Sequence, residues 1–120
     1  MEMESKRNIL FSIVTVAMND LEGLKLTYNS VINQDYKNFE MLIIDGNSED
    51  GKKKWLNNIK NTDVNWTSEP DKGMFDAMNK GIHRATGNFI IFLNSNDEFA
   101  EPTTLSKVVS RIESFPVMPD

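Results

Sequence analysis

Three aspartates stand where oxygen chemistry is expected. Asp45 opens the segment Asp45-Gly46-Asn47-Ser48, Asp71 lies within Glu69-Pro70-Asp71-Lys72-Gly73, and Asp97 closes Asn94-Ser95-Asn96-Asp97. A fourth polar pair, Asn19-Asp20, follows the first apolar run. A carboxylate accepts hydrogen bonds from hydroxyl and N–H donors. It can also hold a hard cation such as Mg²⁺ or Mn²⁺, which prefers oxygen ligands and usually takes only one or two carboxylates. Any one of these segments reads equally well as a turn, because Asp, Asn, Ser and Gly are the common turn residues. Their meaning depends on whether the fold brings them together.

The elements that would do so alternate between strand-like and helical patterns. Phe11 to Ala17 is apolar and rich in β-branched residues, as a strand buried on both faces should be. Asn19-Asp20 then caps a helix with Leu21, Leu24, Tyr28, Val31 and Ile32 at helical spacing. Phe39 to Ile44 is a second strand, and Ser48 or Asp50 is expected to cap a short helix through Trp55, Leu56 and Ile59. A short third strand is expected around Val64 to Thr67. A helix follows from Met74 to Arg84, with Met74, Met78 and Ile82 on one face and Asp76, Asn79, Lys80 and His83 on another. Gly87 is expected to stop that helix. Phe89 to Leu93 is the fourth strand and the most continuous apolar run. Pro102 is expected at the first position of a last helix carrying Leu105, Val108, Val109 and Ile112.

This alternation predicts an α/β fold with a mostly parallel sheet and helices on both faces. Parallel strands place all four polar segments on one edge of the sheet, where open α/β sheets bind ligands. A carboxylate after the second strand would accept hydrogen bonds from a nucleobase or ribose. One after the fourth strand would hold a cation that neutralises a diphosphate. On this reading Asp45 and Asp97 end neighbouring strands and face one nucleotide diphosphate.

Composition bounds the alternatives. The chain has 120 residues and no cysteine, which excludes disulfides and thiolate chemistry and fits a reducing compartment. Its net charge of −5 argues against nucleic acid as partner and against a polybasic membrane patch. No run approaches the ~18 apolar residues of a membrane span. Residues 1–8 are polar and charged, without the apolar centre of a signal peptide, and are expected to be a disordered tail before a single domain over 9–120.

Four stretches resemble the family 2 glycosyltransferases of the GT-A fold, in particular the bacterial surface-polysaccharide members with a Pro-Asp-Lys-Gly loop. They are Ser12 to Val16, Ser30 to Tyr36 running into Phe39 to Gly51, Glu69 to Gly81, and Ala85 to Asp97. The resemblance spans Phe11 to about Phe99. It implies a Rossmann-like nucleotide-binding half of a GT-A enzyme, truncated before the acceptor half. It also implies inverting transfer of a sugar from a nucleotide diphosphate donor (UDP-, GDP- or dTDP-linked) to a hydroxyl of a glycan or lipid-linked acceptor. By the same resemblance Thr15, Val16 and Ala17 flank the nucleobase, Asp45 contacts it, and Asn19, Asp71, Lys72, Gly73, Asp76, Asn79, Asn94 and Asn96 complete the donor pocket. Asp97 is the metal ligand, for Mg²⁺ or Mn²⁺, with the charge of the site softened because Asn96 stands where an aspartate is common. The implied setting is the cytoplasm or the inner face of the cytoplasmic membrane.

No residue of this chain matches the family's catalytic base, an Asp or Glu that belongs to a later segment. His83, on a polar helix face, is expected to meet solvent, and Trp55 and Trp66 are expected to pack rather than stack on a sugar. The alternative is a nucleotide-sugar-binding or interaction module without catalysis. A phosphoacceptor receiver domain fails because Ala17-Met18-Asn19-Asp20 lacks an acidic pair. A sugar nucleotidyltransferase fails because the same stretch has neither Gly nor Arg. Truncation would leave one sheet edge open to a partner or to homo-oligomer formation.

Overall fold

The computed structural model describes residues 8–46, 49 and 51–115. Strands β1 (Phe11–Ala17), β2 (Phe39–Asp45), β3 (Val64–Ser68) and β4 (Phe89–Phe92) alternate with helices α1 (Leu21–Ile32), α2 (Lys52–Asn57), α3 (Met74–Arg84) and α4 (Thr104–Glu113). Every strand pair is parallel, and the order across the sheet is β3-β2-β1-β4. The expected α/β architecture is therefore present, with all strands ending on one edge. The order corrects one expectation. Asp45 ends β2 and Asp97 follows β4, but β1 lies between those strands, so the two are not neighbours. Two strand spacings, about 10 Å, separate β2 from β4.

The sequence of β1 suits its central place. It pairs with β2 from Phe11↔Phe39 to Ala17↔Asp45, and with β4 from Phe11↔Phe89 to Val14↔Phe92. Its odd-numbered residues Phe11, Ile13 and Ala17 join Met41 and Ile43 of β2 beneath Leu24, Val31, Leu56, Leu105 and Val109. Those five come from α1, α2 and α4, so three helices cover this face. On the other face Val14, Leu42 and Ile44 pack with Ala77 of α3.

Helix α1 begins because the Asp20 carboxylate accepts the Gly23 N–H at 3.0 Å. A Cβ at residue 23 would lie 2.2 Å from Asp20 Oδ2, so any larger residue there would have to displace the capping carboxylate. Helix α2 starts after Gly51, in a left-handed conformation, without a side-chain cap, and ends at Asn57, before Ile59. Ser48 and Asp50, the expected caps, lie outside the described residues, as do residues 1–7 of the expected tail. Helix α4 starts at Thr104 with Thr103 as its cap, so Pro102 precedes the helix instead of opening it.

Helix α3 packs through its smallest residues. Its buried residues are Ala77 and Gly81, while Met74 and Ile82 are 56% and 42% exposed. Close approach explains it: a Cβ on Gly81 would lie only 2.3 Å from Val14 Cγ1. The small stripe of the helix seats on β1 and β2, which turns the methionine and isoleucine side outward. Ile90 and Phe92 of β4 are both 39% exposed, and Phe75 of α3 is 81% exposed. β4 is an edge strand of the described sheet.

Gly87 is not the helix stop either. Ala85 caps α3 in an extended conformation. Gly87 is small because it passes close to β1, where a Cβ would lie 2.6 Å from Ser12 Oγ and 2.7 Å from the Leu10 carbonyl. A polar clasp sits beside it. Glu40 Oε2 accepts from Ser12 Oγ (2.6 Å), Thr86 N (2.7 Å) and Thr86 Oγ1 (3.0 Å), and Ser12 Oγ accepts from Gly87 N (2.8 Å). Partial burial raises the Glu40 pKa, but the hydrogen bonds from Ser12 and Thr86 outweigh it and hold the carboxyl below its ordinary value. A folded-state pKa below the unfolded one stabilises the fold above the unfolded value of 4.5 and is lost as pH falls through the folded value. Glu40→Ala should therefore cost about 2 kcal/mol near neutral pH. The difference from wild type should shrink as urea titrations are moved below the ordinary glutamate pKa.

Candidate functional site

The crevice rule for open sheets points to the place where strand order reverses. Here β1, β2 and β3 run one way and β4 returns to the other side of β1, so that place is the joint C-terminal end of β1 and β4. The chain is bound tightly there. Asn94 Oδ1 accepts the Val16 N–H at 3.3 Å, and the Val16 carbonyl accepts Ser95 N–H at 3.1 Å. The Gly23 carbonyl accepts Asn96 N–H (3.0 Å) and Thr27 Oγ1 (3.1 Å), which docks α1 on the turn after β4. Asn96 has φ 77°, a left-handed conformation that asparagine tolerates better than most side chains. The backbone itself thus gives a reason for asparagine at this position.

Asp97 is exposed, and its Oδ2 accepts the Asn94 N–H at 3.0 Å. That bond closes the turn with one carboxylate oxygen and leaves the other to solvent among the described residues. Such a donor suits a cation that draws its remaining ligands from water and phosphate. No group of three His, Cys, Asp or Glu side chains able to cage a metal occurs among the described residues.

Asp45 is wholly buried and accepts from Ser68 Oγ at 2.7 Å across the β2–β3 pair. The Asp45 carbonyl accepts Glu69 N–H at 3.0 Å, and Gly46 N–H donates to the Ala17 carbonyl at 3.1 Å. These bonds extend the sheet one residue past its strands. Asn47 and Ser48 lie outside the described residues. Asn19, also left-handed at φ 50°, accepts the Glu49 N–H through Oδ1 at 3.2 Å and so ties the loop after β1 to the loop after β2.

The segment Glu69 to Gly73 crosses the whole edge. It leaves β3 at Asp45 and carries Asp71 over to Gly46, where a Cβ would lie 3.0 Å from Asp71 Oδ2 and 2.9 Å from Met18 Sδ. Asp71 Oδ1 accepts the Gly73 N–H at 3.1 Å. Gly73, at φ 117°, then turns the chain into α3 in a conformation other residues rarely adopt. Met74 Sδ, the first residue of the helix, stands 4.0 Å from Asn94 Nδ2 at the end of β4. The loop therefore meets the end of β2, and the first residue of the helix it leads into reaches the end of β4.

The predicted residues separate into two groups. Asn19, Asp45, Asp71, Gly73, Asn94, Asn96 and Asp97 gather along this edge, with Lys72 exposed on the loop. Asp76 instead accepts the Lys72 N–H at 2.9 Å, and that bond holds its carboxyl below the ordinary value, helped by the nearby charge of Lys80. Thr15 is fully buried on the face covered by α1, its hydroxyl without a hydrogen-bond partner among the described residues. The backbones of Val16 and Ala17 are committed to Asn94, Ser95 and Gly46. Asn79 and His83 are exposed. Trp55 packs edge-on against Tyr28 at 5.2 Å, and Trp66 packs on the core. Sequence reasoning missed Ser68, Met18 and Lys80. The first two carry no signal without the strand register. Lys80 did have one, four residues after Asp76 on the helix.

A profile of glycosyl transferase family 2 matches residues 12–118. The chain belongs to this family. An uncharacterized glycosyltransferase of Mycobacterium tuberculosis is 39% identical over 102 residues, a match covering 84% of this chain and 39% of the relative. The amylovoran biosynthesis glycosyltransferase AmsB of Erwinia amylovora is 33% identical over 100 residues, covering 78% of this chain and 33% of the relative. Among solved structures, S. aureus TarS 1–349 in complex with UDP-GlcNAc superposes with a TM-score of 0.78 at 22% identity over 86% of this chain and 31% of that one. The mannosyltransferase PcManGT of Pyrobaculum calidifontis, in complex with GDP-Man and Mn²⁺, superposes with a TM-score of 0.72 at 16% identity over 88% of this chain and 32% of that one. The family 2 chain thus spans about two-fifths of the length of the first of these relatives, and its sheet is the GT-A sheet.

Proposed function

We propose that this family 2 chain binds the nucleotide diphosphate part of a sugar donor along the edge traced by its Pro-Asp-Lys-Gly loop. The course of the loop carries the reading: it sets Asp71 beside Gly46 at the end of β2 and leads into Met74 beside Asn94 at the end of β4, so that Asp71, Asp45 and the Asn94–Asp97 turn lie along one edge. The nucleoside lies toward β2, near Asp45 and Asp71. The diphosphate lies about 10 Å away, toward Asp97 after β4. That separation suits one extended ligand better than two carboxylates sharing an ion. The rim is rich in carboxylates, so a dianionic ligand requires a positive partner. When bound to Asp97, a divalent cation would offset the charge growing on the leaving diphosphate. Lys72, exposed on the loop, is the protein's own cation at this edge.

The reaction proposed for the whole enzyme is inverting transfer. An acceptor hydroxyl oxygen attacks the anomeric carbon, the bond from that carbon to the diphosphate oxygen breaks, and the nucleoside diphosphate leaves with the electron pair. The hydroxyl proton passes to a carboxylate in a segment beyond the Asn94–Asp97 turn. Likeness to a relative named for amylovoran biosynthesis supports a glycan or lipid-linked acceptor in surface polysaccharide assembly. No helix of the described residues is long and apolar enough to cross a membrane. A cytoplasmic setting, free or at the inner membrane face, is the one proposed. The open edge of β4 and the exposed Ile90 and Phe92 beside it support association there, with further chain or a second copy.

Calorimetric titration of the chain with UDP-GlcNAc, GDP-mannose and a dTDP-sugar, each with Mn²⁺ and with EDTA, tests the reading. One of the three should bind, and more tightly with Mn²⁺. Failure of all three would sink it. Sugar release by this chain alone would show that the base lies within residues 1–120.

A further inference from the structure

Lys80 serves no part of the donor site described so far, yet two groups of the crossing loop and one carboxylate of its own helix converge on it. Its Nζ donates to the Pro70 carbonyl at 3.0 Å, pairs with Glu69 Oε1 at 3.3 Å and lies 3.7 Å from Asp76 Oδ2. Asp76 Oδ2 in turn accepts the Lys72 N–H at 2.9 Å. The loop is thus gripped on both sides of Asp71, at residues 69 and 70 before it and at 72 after it. An ammonium group has three N–H donors and no acceptor. Here one N–H bonds the Pro70 carbonyl, and the charge is balanced by the carboxylates of Glu69 and Asp76 within ion-pair distance. The Lys80 side chain is only 23% exposed, which limits the access of water to its ammonium.

We propose that Lys80 is a positioning residue that fixes the Pro-Asp-Lys-Gly loop in the conformation that sets Asp71 against Gly46, and that it acts on the donor only through that loop. This inference rests on the donor-binding reading above. The physical argument is one of entropy. The loop is exposed at Glu69, Pro70, Lys72 and Gly73, and few apolar contacts hold it. Without the staple it samples other conformations, and a ligand must select the competent one, which lowers apparent affinity by the fraction populated. Helix α3 gives the staple a rigid base, because Ala77 and Gly81 seat the helix against β1 and β2 and Lys80 projects from the same turn.

The test uses the full chain and four variants: Lys80→Met, Lys80→Arg, Asp71→Ala and the Lys80→Met/Asp71→Ala pair. Amide hydrogen exchange at Lys72 and Gly73 reads the loop. Titration with whichever of UDP-GlcNAc, GDP-mannose or a dTDP-sugar binds wild type reads the site. Lys80→Met should speed exchange at Lys72 by about tenfold or more and weaken the nucleotide by about tenfold, with circular dichroism unchanged. Lys80→Arg, which keeps the charge and the donors, should recover most of both effects. In the Asp71→Ala background Lys80→Met should change affinity by less than about twofold, because its route to the ligand is gone. Equal affinity in Lys80→Met and wild type overturns the inference and leaves the donor site standing. A full tenfold loss in the Asp71→Ala background also overturns it, since Lys80 would then touch the ligand itself. If wild type binds no nucleotide sugar, the donor reading and this inference fall together, whatever the exchange rates show.

Discussion

Gly81→Leu should destabilise the chain by about 3 kcal/mol or more, a large share of the ~5–15 kcal/mol that holds a domain of this size. The position is in the middle of α3, where glycine is by itself a poor choice. On propensity alone, Gly81→Ala would stabilise the helix by about 1 kcal/mol. The contact with β1 reverses the sign. A Cβ at residue 81 would lie 2.3 Å from Val14 Cγ1 and 3.1 Å from Cγ2, and Val14 is wholly buried. Neither partner has room to yield, so the helix must lift from the sheet. Gly81→Ala should therefore lose about 1 kcal/mol net and Gly81→Leu far more. Val14→Ala makes the space back. In the double variant Val14→Ala/Gly81→Ala, the total loss should fall short of the summed single losses by about 1–2 kcal/mol, measured from urea midpoints. A Gly81→Ala protein more stable than wild type would show that α3 is not seated as described.

That same contact marks the limit of what could be read from the chain alone. Strand and helix positions were legible because their signals are local. Phe11 to Ala17 reads as a buried strand from its own residues, and Met74 to Arg84 as a helix from its own spacing. The gathering of polar segments on one edge was legible too, since it follows from strands that are all parallel. Strand order was not. Nothing within β2 or β4 encodes which lies next to β1, and both do. Asp45 and Asp97 were therefore placed on adjacent strands when β1 separates them. The buried side of α3 was not legible, for a different reason. Periodicity weighs hydrophobicity and favours Met74, Met78 and Ile82, whereas the packing turned on volume and chose Ala77 and Gly81. The roles of Asn96 and Asp76 also depend on geometry that composition does not carry. Asn96 has a left-handed backbone, and Asp76 accepts the Lys72 N–H. Each side chain has a local task that exists whether or not a ligand is present.

Asp97→Asn is the substitution that separates such local tasks from ligand chemistry. The carboxylate has two oxygens with different surroundings. Oδ2 accepts the Asn94 N–H and shapes the turn after β4, while the other oxygen faces solvent. Asparagine retains a carbonyl oxygen for the Asn94 N–H, so the turn should persist and the melting temperature should shift little. What it removes is the negative charge, which a Mg²⁺ or Mn²⁺ ion needs from a site with few other ligands. Neighbouring Asn94 and Asn96 add no charge to compensate, so the loss should be nearly complete. With Mn²⁺ present, donor affinity should fall by roughly 10- to 100-fold, about 1.4–2.8 kcal/mol, down to the value wild type shows in EDTA. In EDTA the variant and wild type should bind alike, or the variant slightly tighter, because a carboxylate facing a bare diphosphate repels it. Asp97→Ala should lose the same metal-dependent part and also loosen the turn, since the Asn94 N–H then has no acceptor. If Asp97→Asn binds the donor as wild type does with Mn²⁺ present, the cation is not held at the end of β4, and the diphosphate must be placed elsewhere along the edge.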